Sequence, residues 1–235
     1  DNSGGDTLPR IVGVKLVADQ LFVLLQRLTA SYSPENVSYL AVVDTNTDEE
    51  VETNANAEDG LKGIPLPVMN AVDMQVIGTT IFIAGVGDAY GYPEPGENHW
   101  EGGLVRVDAG NYETALIIDD GDAESHPYGS IKRVLIASET DGYFIGYITW
   151  GTEKLFHFDP TNVEASIVEM DGFGDSSIGG LGLVTLQDQT EALLVPKSKS
   201  GEMNPEVIVF DSFTQEEIAT VPSPLNVGAI VTFGQ

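Results

Sequence analysis

Four carboxylates and an imidazole fall within one short run, Asp119-Asp120-Gly121-Asp122-Ala123-Glu124-Ser125-His126. Asp119, Asp120, Asp122 and Glu124 offer hard oxygen ligands and His126 a nitrogen, a set that could hold a cation, with calcium the ion such oxygens suit. A divalent cation there would orient a substrate and lower the pKa of a bound water, the chemistry of a metal-dependent hydrolase. The spacing follows no fixed ligand template, and an acidic, solvated connector is the plainer reading of the same residues. Asp44-Thr45-Asn46-Thr47-Asp48 opens like a calcium loop. Glu49 stands where that loop needs Gly, and Ala55 where it needs Glu, so the run reads as a polar hairpin turn. Asp171-Gly172-Phe173-Gly174-Asp175 is a tight acidic turn of the same kind.

The second group is aromatic. Tyr90, Tyr92, His99 and Trp100 lie in a long polar stretch, residues 85–103, together with Pro93 and Pro95. Long loops carrying aromatic side chains on a rigid scaffold are where binding sites tend to form. The alternative is a loop that folds back on its own scaffold with Trp100 as its anchor. His157 sits in an apolar run at the position that Val42, Arg106 and Val209 take in similar runs, which marks a partly exposed strand position rather than a dedicated ligand. Lys197 and Lys199 read as a local ion pair or as protection of a strand edge. No G-x-S-x-G, H-E-x-x-H or P-loop is present, and Gly85-Val86-Gly87 lacks the third glycine of a dinucleotide fingerprint. No catalytic residue is therefore assigned. Asn36-Val37-Ser38 fits a glycosylation sequon, which matters only in a host that glycosylates secreted proteins.

These groups must be positioned by short strands. An apolar run ending in Asp occurs four times: Leu40-Ala41-Val42-Val43-Asp44, Leu104-Val105-Arg106-Val107-Asp108, Leu155-Phe156-His157-Phe158-Asp159 and Val207-Ile208-Val209-Phe210-Asp211. The Asp residues are 64, 51 and 52 residues apart. A repeat of about 50 residues built from short strands is the signature of a propeller blade. Ahead of each Asp run stands a second strand, Leu21-Phe22-Val23, Ile81-Phe82-Ile83, Tyr143-Phe144-Ile145 or Leu193-Leu194-Val195, after a polar or glycine turn. Ahead of that stands a strand of smaller residues, at 9–17, 67–77, 127–137 and 179–186, with one more at 224–233. Each unit is thus a four-stranded antiparallel meander. The Asp has a local reason, because its carboxylate can accept backbone N–H groups in the turn that follows.

The fold expected is all-β, a β-propeller of four-stranded antiparallel blades at about 10–67, 68–126, 127–178 and 179–235, with residues 1–9 as an entry loop. There are five first strands for four sets of the others. The surplus strand predicts that these four blades form part of a seven- or eight-bladed ring, completed by a protein partner or further copies.

Charge narrows the partners. Ten basic residues against 37 acidic ones leave a net charge of −27. That opposes nucleic-acid backbones and anionic membranes, and permits cations or a basic partner. The chain has no cysteine, which excludes disulfides and thiolate chemistry. No apolar run approaches the length of a transmembrane segment.

The run from Gly13 to Leu28, followed by Ser38-Tyr39-Leu40-Ala41-Val42-Val43-Asp44, resembles the bacterial YVTN-type (surface-layer or YncE-like) β-propeller repeat, in which a strand G-x-L-Y-V precedes V-x-V-I-D-x-x-T. The resemblance extends over nearly the whole chain from Pro9. It implies an exported protein, periplasmic, cell-surface or extracellular, acting as a non-catalytic binding or assembly module. It also admits two alternatives: a metal-dependent lactonase-like hydrolase, and a structural subunit associating through blade edges. The acidity and the 85–103 stretch depart from the family pattern.

Overall fold

The four Asp-terminated runs end as the sequence predicts. In each, the Asp Oδ1 accepts the backbone N–H two residues on: Asn46 on Asp44 at 2.7 Å, Gly110 on Asp108 at 2.7 Å, Thr161 on Asp159 at 2.7 Å and Phe213 on Asp211 at 2.9 Å. Such turns satisfy the donors that a strand end leaves over. In three of the four, the residue four places on closes the turn with a left-handed backbone: Asp48, Tyr112 and Gln215, whose amides donate to the Asp44, Asp108 and Asp211 carbonyls. The third repeat departs, because Asp159 leads instead into one helical turn, Val163–Ser166.

The computed structural model describes residues 7–53, 60–89, 96–199 and 205–223. The chain divides into two compact units, residues 1–132 and 133–235. In the first unit, one sheet runs Ile11–Val17, Gln20–Leu25, Val37–Asp44, Glu49–Glu50, with Ile64–Met69 also paired to Val37–Asp44. The second sheet runs Ala71–Ile77, Thr80–Gly85, Gly103–Asp108, Thr114–Ile118. The third runs Ser130–Ile136, Gly142–Thr149, Thr152–Phe158, Val168–Glu169, its first strand spanning the boundary. The fourth, in the second unit, runs Ser176–Ile178, Glu191–Lys199, Glu206–Asp211, Glu217–Pro222, with Gly182–Thr185 paired to Glu191–Lys199. The strand pairings within these sheets are antiparallel, so the protein is all-β and built of four propeller-type blades. Thr7–Leu8, expected to lie in an entry loop, forms a short ladder with Leu28–Thr29. The surplus strand expected at 224–233 lies outside the described residues. No helix among the described residues is long and apolar enough to cross a membrane.

Strand alternation sends every second side chain to the same face. In the first sheet Phe22, Leu24, Leu40 and Val42 are fully buried and meet Ile64, Leu66, Met74, Ile81, Ile83, Val105 and Val107 in one core. Gly13 lies against Met74 of the second sheet, where a Cβ would be in ordinary contact with Met74 Cε at 3.4 Å. In the second unit Tyr143, Ile145, Leu155, Leu193, Val195, Ile208 and Phe210 form the corresponding core. Burying one such side chain contributes about 1.5–3 kcal/mol, so these two face-to-face cores carry the fold.

On the opposite faces of the first and fourth sheets, several apolar side chains of the described residues remain partly or largely exposed. In the first sheet, cross-strand register places Ile11 beside Leu25, Val14 beside Val23, and Leu16 beside Leu21. Ile11, Val14 and Leu16 are 66%, 47% and 63% exposed. In the fourth, Leu194 pairs with Val209 and Val207 with Val221, and Val221 is 51% exposed.

Candidate functional site

Strand parity decides which connections share an end of a sheet. In the second sheet the turns at 78–79 and 109–113 leave one end; the 86–102 connection and the link from Ile118 toward Ser130 leave the other. The two groups singled out in the sequence, the aromatic stretch and the acidic run, are therefore neighbours in the first unit. Each described part of the 86–102 connection is tied down. Asp88 N donates to Asn98 O at 3.1 Å, His99 N to Gly96 O at 3.1 Å, and Met69 N to Glu101 O at 2.7 Å. Asn98 Nδ2 reaches Pro34 O at 2.8 Å, joining the connection to the 26–36 loop of the first sheet. Gly87 must be glycine: its φ is +55°, and a Cβ would meet His99 O at 2.6 Å. Beneath lies a polar chain that the sequence did not reveal. Gln26 Nε2 donates to Asn70 Oδ1 at 2.8 Å, and Asn70 Nδ2 donates to Gly87 O at 2.9 Å.

Trp100 stands at the centre of an aromatic stack. The His99 ring meets it edge-on with centroids 4.3 Å apart, and His126 lies flat against it at 4.2 Å with 19° between the planes. The His99 Nδ1 is fixed on Asp88 O at 2.5 Å, and His126 Nδ1 on Asp122 O at 2.9 Å. His99 and Trp100, expected as binding residues, are thus joined to His126, expected as a metal ligand. Tyr90 and Tyr92 lie outside the described residues.

The acidic run spends much of its charge on its own backbone. Asp119 Oδ1 accepts Gly121 N at 2.9 Å. Asp122 Oδ1 accepts Ser125 N and Glu124 N, both at 2.8 Å, and these two bonds hold its carboxyl below the usual carboxylate range. Glu124 and His126 are exposed. Asp120 is different. It is fully buried, and neither carboxylate oxygen has a hydrogen-bond partner among the described residues. Burial, with the adjacent Asp119 charge second, pushes its pKa up to about 7. The Gly102 amide pulls the other way without reaching hydrogen-bond geometry. Gly102 has to be glycine for Asp120 to sit there, since a Cβ would stand 2.5 Å from Asp120 Oδ2 and 2.6 Å from Gly85 O. Among the described residues no three His, Asp or Glu side chains converge in a way that could hold a metal ion.

In the second unit His157 Nε2 lies 3.2 Å from Asp141 Oδ1. The other oxygen, Oδ2, accepts Ser138 Oγ at 2.7 Å and Thr140 Oγ1 at 3.0 Å. Burial raises the Asp141 pKa, but the bonds from Ser138, His157 and Thr140 outweigh it and hold the carboxyl below its ordinary value. The sequence missed this pair. Its signal is the hairpin register: Gly142 faces Phe158 and Tyr143 faces His157, which sets Asp141 diagonally beside His157.

No protein-family model matches the chain, and no curated protein sequence matches it. Solved structures do. A mutant of Synechocystis apocarotenoid oxygenase superposes with a TM-score of 0.55 at 12% identity, over 94% of this chain and 52% of that one. A prolyl endopeptidase gives a TM-score of 0.55 at 12% identity, over 96% of this chain and 28% of that one. An auxiliary nutrient binding protein from Bacteroides thetaiotaomicron gives 0.53 at 8% identity, over 96% and 44%. The chain spans about half the length of the oxygenase it resembles. At such identities the likeness is one of fold, and the fold is the β-propeller.

Proposed function

We propose that the chain is a non-catalytic, exported binding and assembly module of the YVTN-like propeller type, and that its first and fourth sheets each take a further blade. The observation that carries this reading is the row of exposed apolar side chains on the first sheet, with Val221 exposed on the fourth. A propeller blade is normally sandwiched between two others, so both of its faces are apolar. Here Ile11, Val14 and Leu16 of the first sheet and Val221 of the fourth meet solvent instead. Apolar patches of this kind on a water-soluble surface mark places where another surface docks. The occupant is a second copy of the chain, its fourth sheet against the first sheet of its partner. A two-fold pair closes with two identical contacts. Two copies also supply about as much sheet as the oxygenase, of which this chain spans 52%. The Trp100 stack and the described parts of the 86–102 connection, held by their backbone hydrogen bonds, then form the recognition end of the blades.

Sedimentation and native mass spectrometry across a concentration range test the assembly. The expected result is a species of twice 25.1 kDa that Leu16→Glu and Val221→Lys each return to 25.1 kDa. A folded 25.1 kDa wild-type species at every concentration overturns it.

A further inference from the structure

A cavity of about 390 Å³ opens in the second unit, lined by His157, Val168, Met170, Asp171, Phe210, Gln215 and Glu217 among others. That volume lies within the range of small-molecule sites, about 300–1,000 Å³. Its floor is apolar, with Met170 and Phe210 nearly buried. Its polar side chains share one property. His157 directs Nε2 at the Asp141 carboxylate, so Nε2 is the donor there, and Nδ1, which is an acceptor in the neutral imidazole, has no partner among the described residues. Gln215 spends its amide nitrogen on two carbonyls, Phe213 O at 2.7 Å and Ser212 O at 3.3 Å, which leaves Oε1 as an acceptor. Asp171 and Glu217 are carboxylates at the exposed rim, and Glu217 gives only Oε1 to Thr220. Glu169, a third carboxylate at the rim, is paired with Lys154 at 2.8 Å. Among the described residues no Lys or Arg lines the cavity, and Lys197, which reaches Gly172 O at 2.7 Å, is paired with Glu206.

We propose that this cavity binds a small organic ammonium ion with an apolar body. A ligand rich in donors suits a lining made up of acceptors, and a cation is favoured beside the Asp171 and Glu217 carboxylates at its rim. The apolar part of the ligand rests on Met170 and Phe210, while its N–H groups reach His157 Nδ1, Gln215 Oε1 and the Glu217 carboxylate. Asp141, locked by Ser138 and Thr140, is the positioning residue that keeps the imidazole presenting its acceptor side. This site stands apart from the assembly reading above and uses none of the residues on the open sheet faces tested there.

Calorimetric titration of the full chain with 2-phenylethylammonium, beside the neutral 2-phenylethanol and the anionic phenylacetate, tests the proposal. The expected result is saturable binding of the ammonium ion alone, weakened at least tenfold in Glu217→Gln and in His157→Phe. Glu217 is exposed, so its variant remains folded and informative even if the His157 variant does not. Asp141→Asn is expected to weaken binding and to shift the His157 imidazole resonances, a signature that loss of packing alone would not give. No saturable binding by folded wild type, or equal binding of the alcohol, overturns the proposal.

Discussion

The hydroxyl of Tyr143, on the second strand of the third sheet, donates to the backbone carbonyl of Ser212 at 2.6 Å, in the last turn of the fourth. The first unit holds the counterpart: Gln20 Nε2 at the start of a second strand donates to Tyr112 Oη at 2.6 Å, in the last turn of the next sheet. Each unit thus has a long bond from the start of a second strand to the last turn of the next sheet.

Tyr143→Phe removes the fastening without opening a cavity, and leaves the Ser212 carbonyl short of a donor. The expected loss is about 1 kcal/mol, read by urea denaturation at neutral pH. Burial pushes the Tyr143 pKa up to about 12 from 10.0, so the unfolded chain releases that proton first as pH rises. Wild-type stability should fall between pH 10 and 12 through this group, and the difference between wild type and variant should shrink over the same window.

Asp120 gives the opposite experiment. Its pKa is raised from 3.8 to about 7, so the proton is held more tightly in the folded protein than in the unfolded chain. Its penalty is absent below pH 4, grows as pH rises toward 7 and is constant above, where both states are ionised. Asp120→Asn should match wild type at pH 4 and be more stable at pH 8 by up to about 4 kcal/mol, the value of three pKa units. Thermal melts of both proteins at the two values decide it; a variant less stable at pH 8 would show that the carboxylate is paired in solution.

Gly63 is buried, and a Cβ there would stand 2.5 Å from Leu40 O and 3.0 Å from Ala41 Cα, both backbone atoms of the neighbouring strand. Its amide also donates to the Tyr39 hydroxyl. Gly63→Ala should cost about 1–3 kcal/mol, with the Ile64–Met69 ladder exchanging its amides fastest. Gly60→Ala is the control: its φ is +69° but nothing lies within 4 Å, so its cost is conformational only, about 1 kcal/mol.

His126→Ala strips one face of Trp100. An aromatic pair is worth about 0.5–1.5 kcal/mol beyond burial, and the loss should appear as faster proteolysis within residues 86–102 and a red-shifted Trp emission, with the melting of the sheets little changed. Asn98→Ala, which cuts the link to Pro34 O, should act in the same direction.

Strand content was legible because blade strands obey local rules. The four Asp turns, the apolar runs and the polar hairpins each announce themselves within a few residues, and the sheets follow from their order. What was not legible depends on distance. Trp100 and His126 are far apart in sequence and meet only because two connections leave the same end of one sheet. Asp141 and His157 meet only through hairpin register. Asp120 looks like its acidic neighbours in sequence, yet it alone is fully buried, because Gly102 leaves room beside Gly85 for a carboxylate. The acidic run reads as one cluster of ligands; in space two of its members, Asp119 and Asp122, are turn caps.

The Tyr143–Ser212 and Gln20–Tyr112 bonds have one more consequence. Both lie at the end of the sheets that carries the short Asp turns, whereas the long connections lie at the other. A residue inserted into 86–102 would leave both of these bonds in place but strain the Asn98–Pro34 link, while one inserted into 109–113 or 212–216 would pull one of the two out of register. A change of length at one end therefore acts on the order of neighbouring sheets through the Tyr143 and Tyr112 bonds, and in the first unit a change at the other acts through Asn98.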